Sequence, residues 1–147
     1  MTKKLKVLVI RLSSIGDIVL TTPVLRCINS QLNVSIDFLT KDKYNSLLAA
    51  NTDIENLILL GTDISQTIKI LRANRYDMII DLHNNLRSFR IRQALQIQSY
   101  VLSKYSFKRF ILIYFGVDLL KNHIVDRYFE TVKSIGVYND KKGISYT

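Results

Sequence analysis

Residues 11 to 17 read Arg-Leu-Ser-Ser-Ile-Gly-Asp and set two hydroxyls, a glycine and a carboxylate side by side. Gly16 lets a ligand or a backbone come close, and the first turn of a following helix offers unpaired N–H groups to an anion. Gly16 is the only glycine in this stretch, so the Gly-x-Gly-x-x-Gly fingerprint of a dinucleotide site is missing, as is the phosphate loop of nucleotide hydrolases. Asp17 also has a plain structural reading. Ser14-x-x-Asp17 has the spacing of a capping box, and an acid in a first helical turn complements the helix dipole. On spacing alone the cap is the stronger reading and catalysis the weaker. A second polar stretch, Leu82-His-Asn-Asn-Leu-Arg-Ser88, carries an imidazole and a guanidinium. Arg87 has the fork geometry to grip a phosphate through two hydrogen bonds, and reads equally as a solvent-exposed helix arginine. His83, a lone histidine, is no metal site; it reads as a hydrogen-bond donor, a proton carrier or a simple loop contact.

Both stretches follow runs that read as buried strands. Lys6–Ile10, Val34–Leu39, Asn56–Leu60 and Met78–Asp81 are short and rich in β-branched residues, and the first and last are nearly continuous apolar runs. Such runs indicate strands covered on both faces, as in parallel sheets. Helical patterns fill the gaps: Ile15–Gln31, Lys41–Ala50, Ile64–Asn74, one beginning near Leu86, and one over about Ile124–Ile135 that stops at Gly136. The last places Ile124, Tyr128, Val132 and Ile135 on one side. Pro23 lies too deep for a helix starting at Ser14, so that pattern either kinks or restarts with Thr22 as N-cap and Pro23 as the first helical residue. Alternating β and α units predict an α/β fold: a Rossmann-like, doubly wound, mostly parallel sheet. In such sheets ligands bind beyond the carboxyl ends of the strands, where residues 11–17 and 82–88 fall.

The chain has 147 residues, enough for one domain with a sizeable core. No apolar run reaches the roughly 18 residues that span a bilayer, and Arg11 cuts short the run that could imitate a signal peptide, so a cytoplasmic location is expected. Cys27, the only cysteine, sits among Val24, Leu25 and Ile28 and reads as a small buried hydrophobe rather than a nucleophile. The net charge is +9, from 21 basic and 12 acidic residues. No acid occurs from Leu82 to Val117, while Arg87, Arg90, Arg92, Lys104, Lys108 and Arg109 fall there, which suggests an anionic partner. No nucleic-acid-binding motif accompanies these cations, so nucleic acid is not an expected partner. Phe107-Lys-Arg-Phe-Ile-Leu-Ile-Tyr-Phe115 suits a helix lying at a membrane surface.

Three segments in order resemble one known family. Val7-Leu-Val-Ile-Arg-Leu-Ser-Ser-Ile-Gly-Asp-Ile-Val-Leu-Thr-Thr-Pro-Val-Leu-Arg26 is similar to the opening of glycosyltransferase family 9, the ADP-heptose:lipopolysaccharide heptosyltransferases and their relatives. Tyr76-Asp-Met-Ile-Ile-Asp-Leu-His-Asn-Asn-Leu-Arg-Ser88 and His123-Ile-Val-Asp-Arg-Tyr128 resemble two later segments of that family. Asn84 departs from the pattern, since glycine is usual there, and asparagine enters left-handed conformations less freely.

The resemblance implies the N-terminal half of a GT-B fold, with residues 1–147 forming the acceptor-side domain and the nucleotide-sugar domain having no counterpart in this sequence. It implies transfer of heptose or a related sugar onto the lipopolysaccharide core or a lipid A glycolipid, with inversion, and a chain inactive by itself. Asp17 would be the general base that takes the proton of the acceptor hydroxyl. Ser13, Ser14, Gly16, His83, Asn85, Arg87 and Arg127 would bind the acceptor. His123 and Arg127, four apart, share one helical face; Arg127 is the better candidate for an acceptor phosphate. No cofactor is expected beyond the ADP-heptose donor, which the other domain would bind, and with no Asp-x-Asp motif no metal is expected. Contact with the inner face of the cytoplasmic membrane fits a glycolipid acceptor. The rival reading is a basic α/β module that binds an anion or a membrane surface without catalysis.

Overall fold

The computed structural model describes residues 4–103 and 117–142, with side chains at 117–123 excepted. Five strands form one sheet: β1 (Leu5–Ile10), β2 (Val34–Lys41), β3 (Asn56–Leu60), β4 (Met78–Asp81) and β5 (Gln98–Val101), in the order β3-β2-β1-β4-β5, with every pairing parallel. The helices are α1 (Ile15–Val19), α2 (Thr22–Gln31), α3 (Asn45–Leu48), α4 (Ile64–Asn74), α5 (Leu86–Leu95) and α6 (Val117–Val132). This is the expected α/β, Rossmann-like doubly wound arrangement.

The central strand shows why its sequence is apolar without alternation. Side chains along a strand point to opposite faces in turn. Val7 and Val9 enter a core with Val24, Leu25 and Ile28 of α2 and with Tyr128 and Val132 of α6. Leu8 and Ile10 enter a second core with Ile68 and Leu71 of α4 and Ile91 of α5. All four β1 side chains are fully buried. Helices following β1 therefore cover one face and those following β3 and β4 the other, so the winding reverses between the adjacent strands β1 and β4. A crevice at the carboxyl edge is the geometric consequence.

Local chemistry explains where the elements depart from the sequence reading. The first helical pattern is broken at Leu20–Thr21, and α2 restarts with Thr21, not Thr22, as N-cap and Pro23 in its first turn. Hydroxyls of Thr21 and Thr22 donate to the carbonyls of Ile18 and Val19 and stitch the break. The expected helix from Lys41 to Ala50 is instead the end of β2, a 3₁₀ turn over Asp42–Tyr44 and the single turn α3. The last helix is described over Val117–Val132, reaching further toward the N-terminus than the expected Ile124, and its final turn is 3₁₀ over Lys133–Ile135 before Gly136, which adopts φ +86°. Ile124, Tyr128 and Val132 are buried as the pattern requires, and so is Cys27. Among the described residues no helix is long and apolar enough to cross a membrane. The segment Phe107–Phe115, with Lys104, Lys108 and Arg109, lies outside the described residues.

One buried acid in the sheet has a structural task. Asp37 of β2 is 2% exposed and accepts hydrogen bonds from the Tyr76 hydroxyl at 2.6 Å and from Asn56 Nδ2 at 3.1 Å. Tyr76→Phe removes the shorter of these bonds and leaves the carboxylate under-satisfied. The expected loss is about 2 kcal/mol in urea denaturation at neutral pH; a loss below about 0.5 kcal/mol would show that Asp37 does not depend on the tyrosine.

Candidate functional site

Arg11 leaves β1 at its carboxyl end and joins the two strand-end loops. Its Nη1 donates to the carbonyl of Leu82 at 2.8 Å, and its Nη2 pairs with Asp17 Oδ2 at 2.9 Å. Ser14 donates to the same carboxylate oxygen through its hydroxyl at 2.9 Å and through its backbone N–H at 3.4 Å. The capping box expected from the spacing is therefore present. It is also lopsided: three donors converge on Oδ2, and no donor among the described residues reaches Oδ1. The Asp17 side chain is 25% exposed. Its carboxylate is anchored through one oxygen and offers the other. Tyr128 of α6 fixes the position from behind, donating from its hydroxyl to the Asp17 carbonyl at 3.1 Å. Burial pushes the Tyr128 phenol well above its ordinary value, so it stays a neutral donor.

The second loop is built on Asp81, the last residue of β4, which is fully buried. Its Oδ1 accepts the backbone N–H groups of His83 at 3.0 Å and Asn84 at 2.8 Å, and its Oδ2 pairs with Arg92 Nε of α5 at 2.9 Å. Asn84 adopts φ +54°, the left-handed conformation that glycine would enter at no steric cost. The asparagine offsets that cost with side-chain bonds: Nδ2 donates to the Leu102 carbonyl at 2.6 Å, and Oδ1 accepts from Arg92 Nη2 at 3.4 Å. His83 Nδ1 accepts the backbone N–H of Leu12 at 3.1 Å. The ring proton must then sit on Nε2, which makes the imidazole a donor on its other edge. Burial, and after it the nearby Arg11 guanidinium, lowers the His83 pKa to about 4. A neutral ring whose free nitrogen already holds its proton suits hydrogen-bond donation better than proton carrying.

The expected site residues thus divide. Ser14, Asp17 and His83 come together around Arg11, with half-buried Ser13 in the same loop. Gly16 is exposed, and a Cβ added there would meet nothing within 4 Å, so packing within the chain does not require glycine at this position. Asn85 is the N-cap of α5; its Oδ1 accepts from Ser88 N–H at 2.9 Å, so that oxygen is committed to the helix rather than to an acceptor. Arg87 is exposed and lines a groove of about 860 Å³ together with Lys41, Lys43, Leu86 and Arg90. Arg127 lies apart from this cluster: it is 3% exposed, and its guanidinium donates to the Ser103 carbonyl just past β5. The His123 side chain lies outside the described residues. The sequence reading did not single out Arg11, Asp81, Arg92 or Tyr128 as site-builders. The available signal was a charged residue ending each buried apolar run, Arg11 after β1 and Asp81 within β4.

No family model matches the chain, and no curated protein does. Solved structures do match. The glycosyl transferase family 9 protein of Veillonella parvula DSM 2008 superposes with a TM-score of 0.77 at 21% identity, over 97% of this chain and 44% of its own. E. coli heptosyltransferase WaaC, solved with ADP, superposes at 0.69 with 19% identity, over 97% of this chain and 51% of its own. An FMN-dependent UbiX-like decarboxylase from E. coli O157:H7 superposes at 0.53 with 12% identity, over 95% of this chain and 99% of its own. The chain spans about half the length of the two transferases. At these identities the likeness is one of fold: the chain has the α/β architecture of one half of those GT-B proteins.

The His83 geometry has a measurable consequence. Unfolded, the imidazole takes up its proton near 6.5, and folded near 4. Between those values the unfolded state binds more protons, so stability falls as pH drops through this window. NMR titration should show the His83 ring neutral at pH 5, and His83→Asn, which keeps an acceptor for Leu12 N–H, should flatten the pH dependence of the denaturation midpoint. A ring that titrates near 6.5 in the folded protein would contradict the buried, neutral donor.

Proposed function

We propose that this chain is the acceptor-binding half of an inverting glycosyltransferase of the heptosyltransferase type. The observation that carries the reading is the Asp17 carboxylate, held through Oδ2 by Arg11 and Ser14 with Oδ1 unengaged, at the carboxyl edge where the winding reverses. The three segments resembling glycosyltransferase family 9 and the shared fold with two transferases support it. In this reading residues 1–147 form the acceptor-side domain, and a separate nucleotide-sugar domain supplies ADP-heptose. No further cofactor enters.

Asp17 Oδ1 accepts the proton of one acceptor hydroxyl while that oxygen bonds to the anomeric carbon of the donor. The bond from that carbon to the diphosphate breaks, ADP departs with the electron pair, and the configuration inverts. A carboxylate is a weak base toward an alcohol, but the hydroxyl acidifies as its new bond forms, so proton transfer late in the step is favourable. Arg11 and Ser14 hold the carboxylate from turning away, and His83 Nε2–H donates to an acceptor oxygen nearby. Gly16 leaves the face of α1 open for the sugar to approach. The acceptor is the lipopolysaccharide core or a lipid A glycolipid, which places the protein in the cytoplasm at the inner face of the membrane. Simple anion binding without catalysis is the second reading, favoured by the cations of the groove; it gives Asp17 no task beyond the cap.

Supplied with ADP-heptose and a heptose-free lipopolysaccharide acceptor, the chain alone should release no ADP above background; robust turnover would refute the half-enzyme reading. In a protein that carries this chain ahead of a nucleotide-sugar domain, Asp17→Asn should slow turnover by roughly 10²–10⁴-fold with acceptor affinity largely retained. Stability should fall by about 1–3 kcal/mol, since asparagine can still accept from Ser14 but loses the ion pair with Arg11. A variant that loses stability but keeps its rate would reduce Asp17 to a cap. Ser14→Ala is no neutral control, because the Ser14 hydroxyl holds the carboxylate; it should lower both stability and rate.

A further inference from the structure

The break between α1 and α2 leaves the carbonyls of Asp17 and Val19 without their helical donors. In an unbroken helix these would be the N–H groups of Thr21 and Pro23, four residues on. Pro23 has no N–H to give, and the Thr21 N–H turns to the Ile18 carbonyl at 3.0 Å instead. Val19 is completed on the spot, by the Thr22 hydroxyl at 2.9 Å. Asp17 is completed from elsewhere. Its donor is the Tyr128 hydroxyl of α6, 111 positions along the chain, at 3.1 Å. Tyr128 is 1% exposed, so its hydroxyl is cut off from bulk water and needs this acceptor. If the Asp17 carbonyl moves off, a buried hydroxyl and a helix-end carbonyl lose their partner together.

The donor's own helix is held firmly. Ile124, Phe129 and Val132 are buried in the core with Tyr128, and beyond the helix Val137 is buried as well. The next residues are fastened to α2. Gln31 Nε2 donates to the Tyr138 carbonyl at 2.6 Å, its Oε1 accepts the Tyr138 N–H at 2.8 Å, and Arg26 Nη2 pairs with Asp140 at 2.8 Å. α6 and the residues after it thus touch both helices and span the break between them. Asp17 carries its carboxylate on the short side of that break, in a helix of five residues that cannot hold its own direction without tertiary support.

We propose that Tyr128 is a positioning residue for Asp17: its hydroxyl stands in for the missing helical N–H, fixes α1 against α6 and so sets the direction in which Asp17 Oδ1 points. The inference rests on the transferase reading for the task of the carboxylate, and it adds the residue that aims it. Arg11 and Ser14 fix the residue at the tip of its side chain, through Oδ2, and Tyr128 fixes it at the backbone. A carboxylate held at both ends has one orientation, whereas one held at Oδ2 alone can swing about that oxygen. Without the hydroxyl, the Asp17 carbonyl regains a donor by turning toward the Thr21 N–H or by admitting water, and either moves α1 relative to Arg11. Thr22 does the same chemical service for Val19 from within the break, so it closes the kink without tying it to α6. The two hydroxyls separate a local stitch from a positioning contact.

The test is NMR on the whole labelled chain, with Tyr128→Phe and Thr22→Val each removing one hydroxyl from the same break. In the unaltered chain the Tyr128 hydroxyl proton should be protected from exchange; a rapidly exchanging hydroxyl overturns the bond without any variant. Tyr128→Phe should shift the Asp17 carboxyl carbon and the Ser14 amide, whose N–H reaches the same carboxylate. Thr22→Val, with a similar loss of melting temperature, should leave both signals in place. Asp17 signals unmoved in Tyr128→Phe, or moved equally by both variants, overturn the positioning role. In a protein that carries this chain ahead of a nucleotide-sugar domain, Tyr128→Phe should lower kcat about 10–100-fold with the acceptor KM changed by less than about twofold. Thr22→Val should leave kcat within about twofold of the unaltered rate. If Asp17→Asn slows turnover but Tyr128→Phe does not, the positioning role fails and the transferase reading stands. If Tyr128→Phe moves the Asp17 signals while Asp17→Asn leaves turnover unaltered, the transferase reading fails and takes the catalytic task with it, and the contact between Tyr128 and Asp17 stands as structure alone.

Discussion

A fully buried carboxylate must be compensated in place, and Asp81 imposes that requirement on everything around it. Two backbone N–H groups and one guanidinium meet the demand. Meeting it bends residues 82–85 tightly over the end of β4, drives Asn84 to φ +54° and turns His83 back toward β1. Arg92 is drawn in from α5, so the helix and the loop are set by the same charge. Removing Arg92 would strand a buried charge, a defect of about 3–5 kcal/mol in comparable cases. A rigid second loop follows from one acid.

That loop is the surface on which the first one rests. Leu12 N–H and the Arg11 guanidinium both bind to it, through His83 Nδ1 and the Leu82 carbonyl. Arg11 is then in place to hold Asp17, and Tyr128 reaches the same residue from α6 on the opposite side of the loop. A carboxylate with one oxygen anchored and one unengaged is preorganised for accepting a proton from a defined direction. Lys41, Lys43, Arg87 and Arg90 line the neighbouring groove and make it strongly cationic. The Asp17 loop and the cationic groove lie along one edge because every strand pairing is parallel, which brings all the carboxyl ends to the same side.

Much of the fold was legible in the residues. The unbroken apolar run at β1 announced a strand covered on both faces, and both cores now claim alternate residues of it. The strand β5 was missed because Gln98 and Ser99 break any apolar run; an edge strand with one neighbour needs less burial to pair. Of the helix expected over Lys41–Ala50 only the turn Asn45–Leu48 is α-helical, and of its two leucines only Leu48 is buried, too little apolar surface to hold a longer helix on the core. For the site, spacing suggested Ser14 and Asp17 as partners, which they are. It said nothing about Arg11 and Leu82, seventy-one positions apart, since that contact exists only once β1 and β4 pair. For Arg127 helical periodicity gave a face but not its burial, since that depends on what α6 packs against.

In the proposed function, acceptor sugar meets the protein at the carboxyl edge between β1 and β4. Backbone amide shifts of the labelled chain, followed by NMR as a heptose-free lipopolysaccharide core oligosaccharide is added, address this directly. The largest changes should cluster at residues 12–18 and 82–88, with His83 and Asp17 among them. Changes confined to the far end of the sheet, around Arg75, Tyr76 and Ile97, would place the ligand at the amino edge and contradict the assignment of the site.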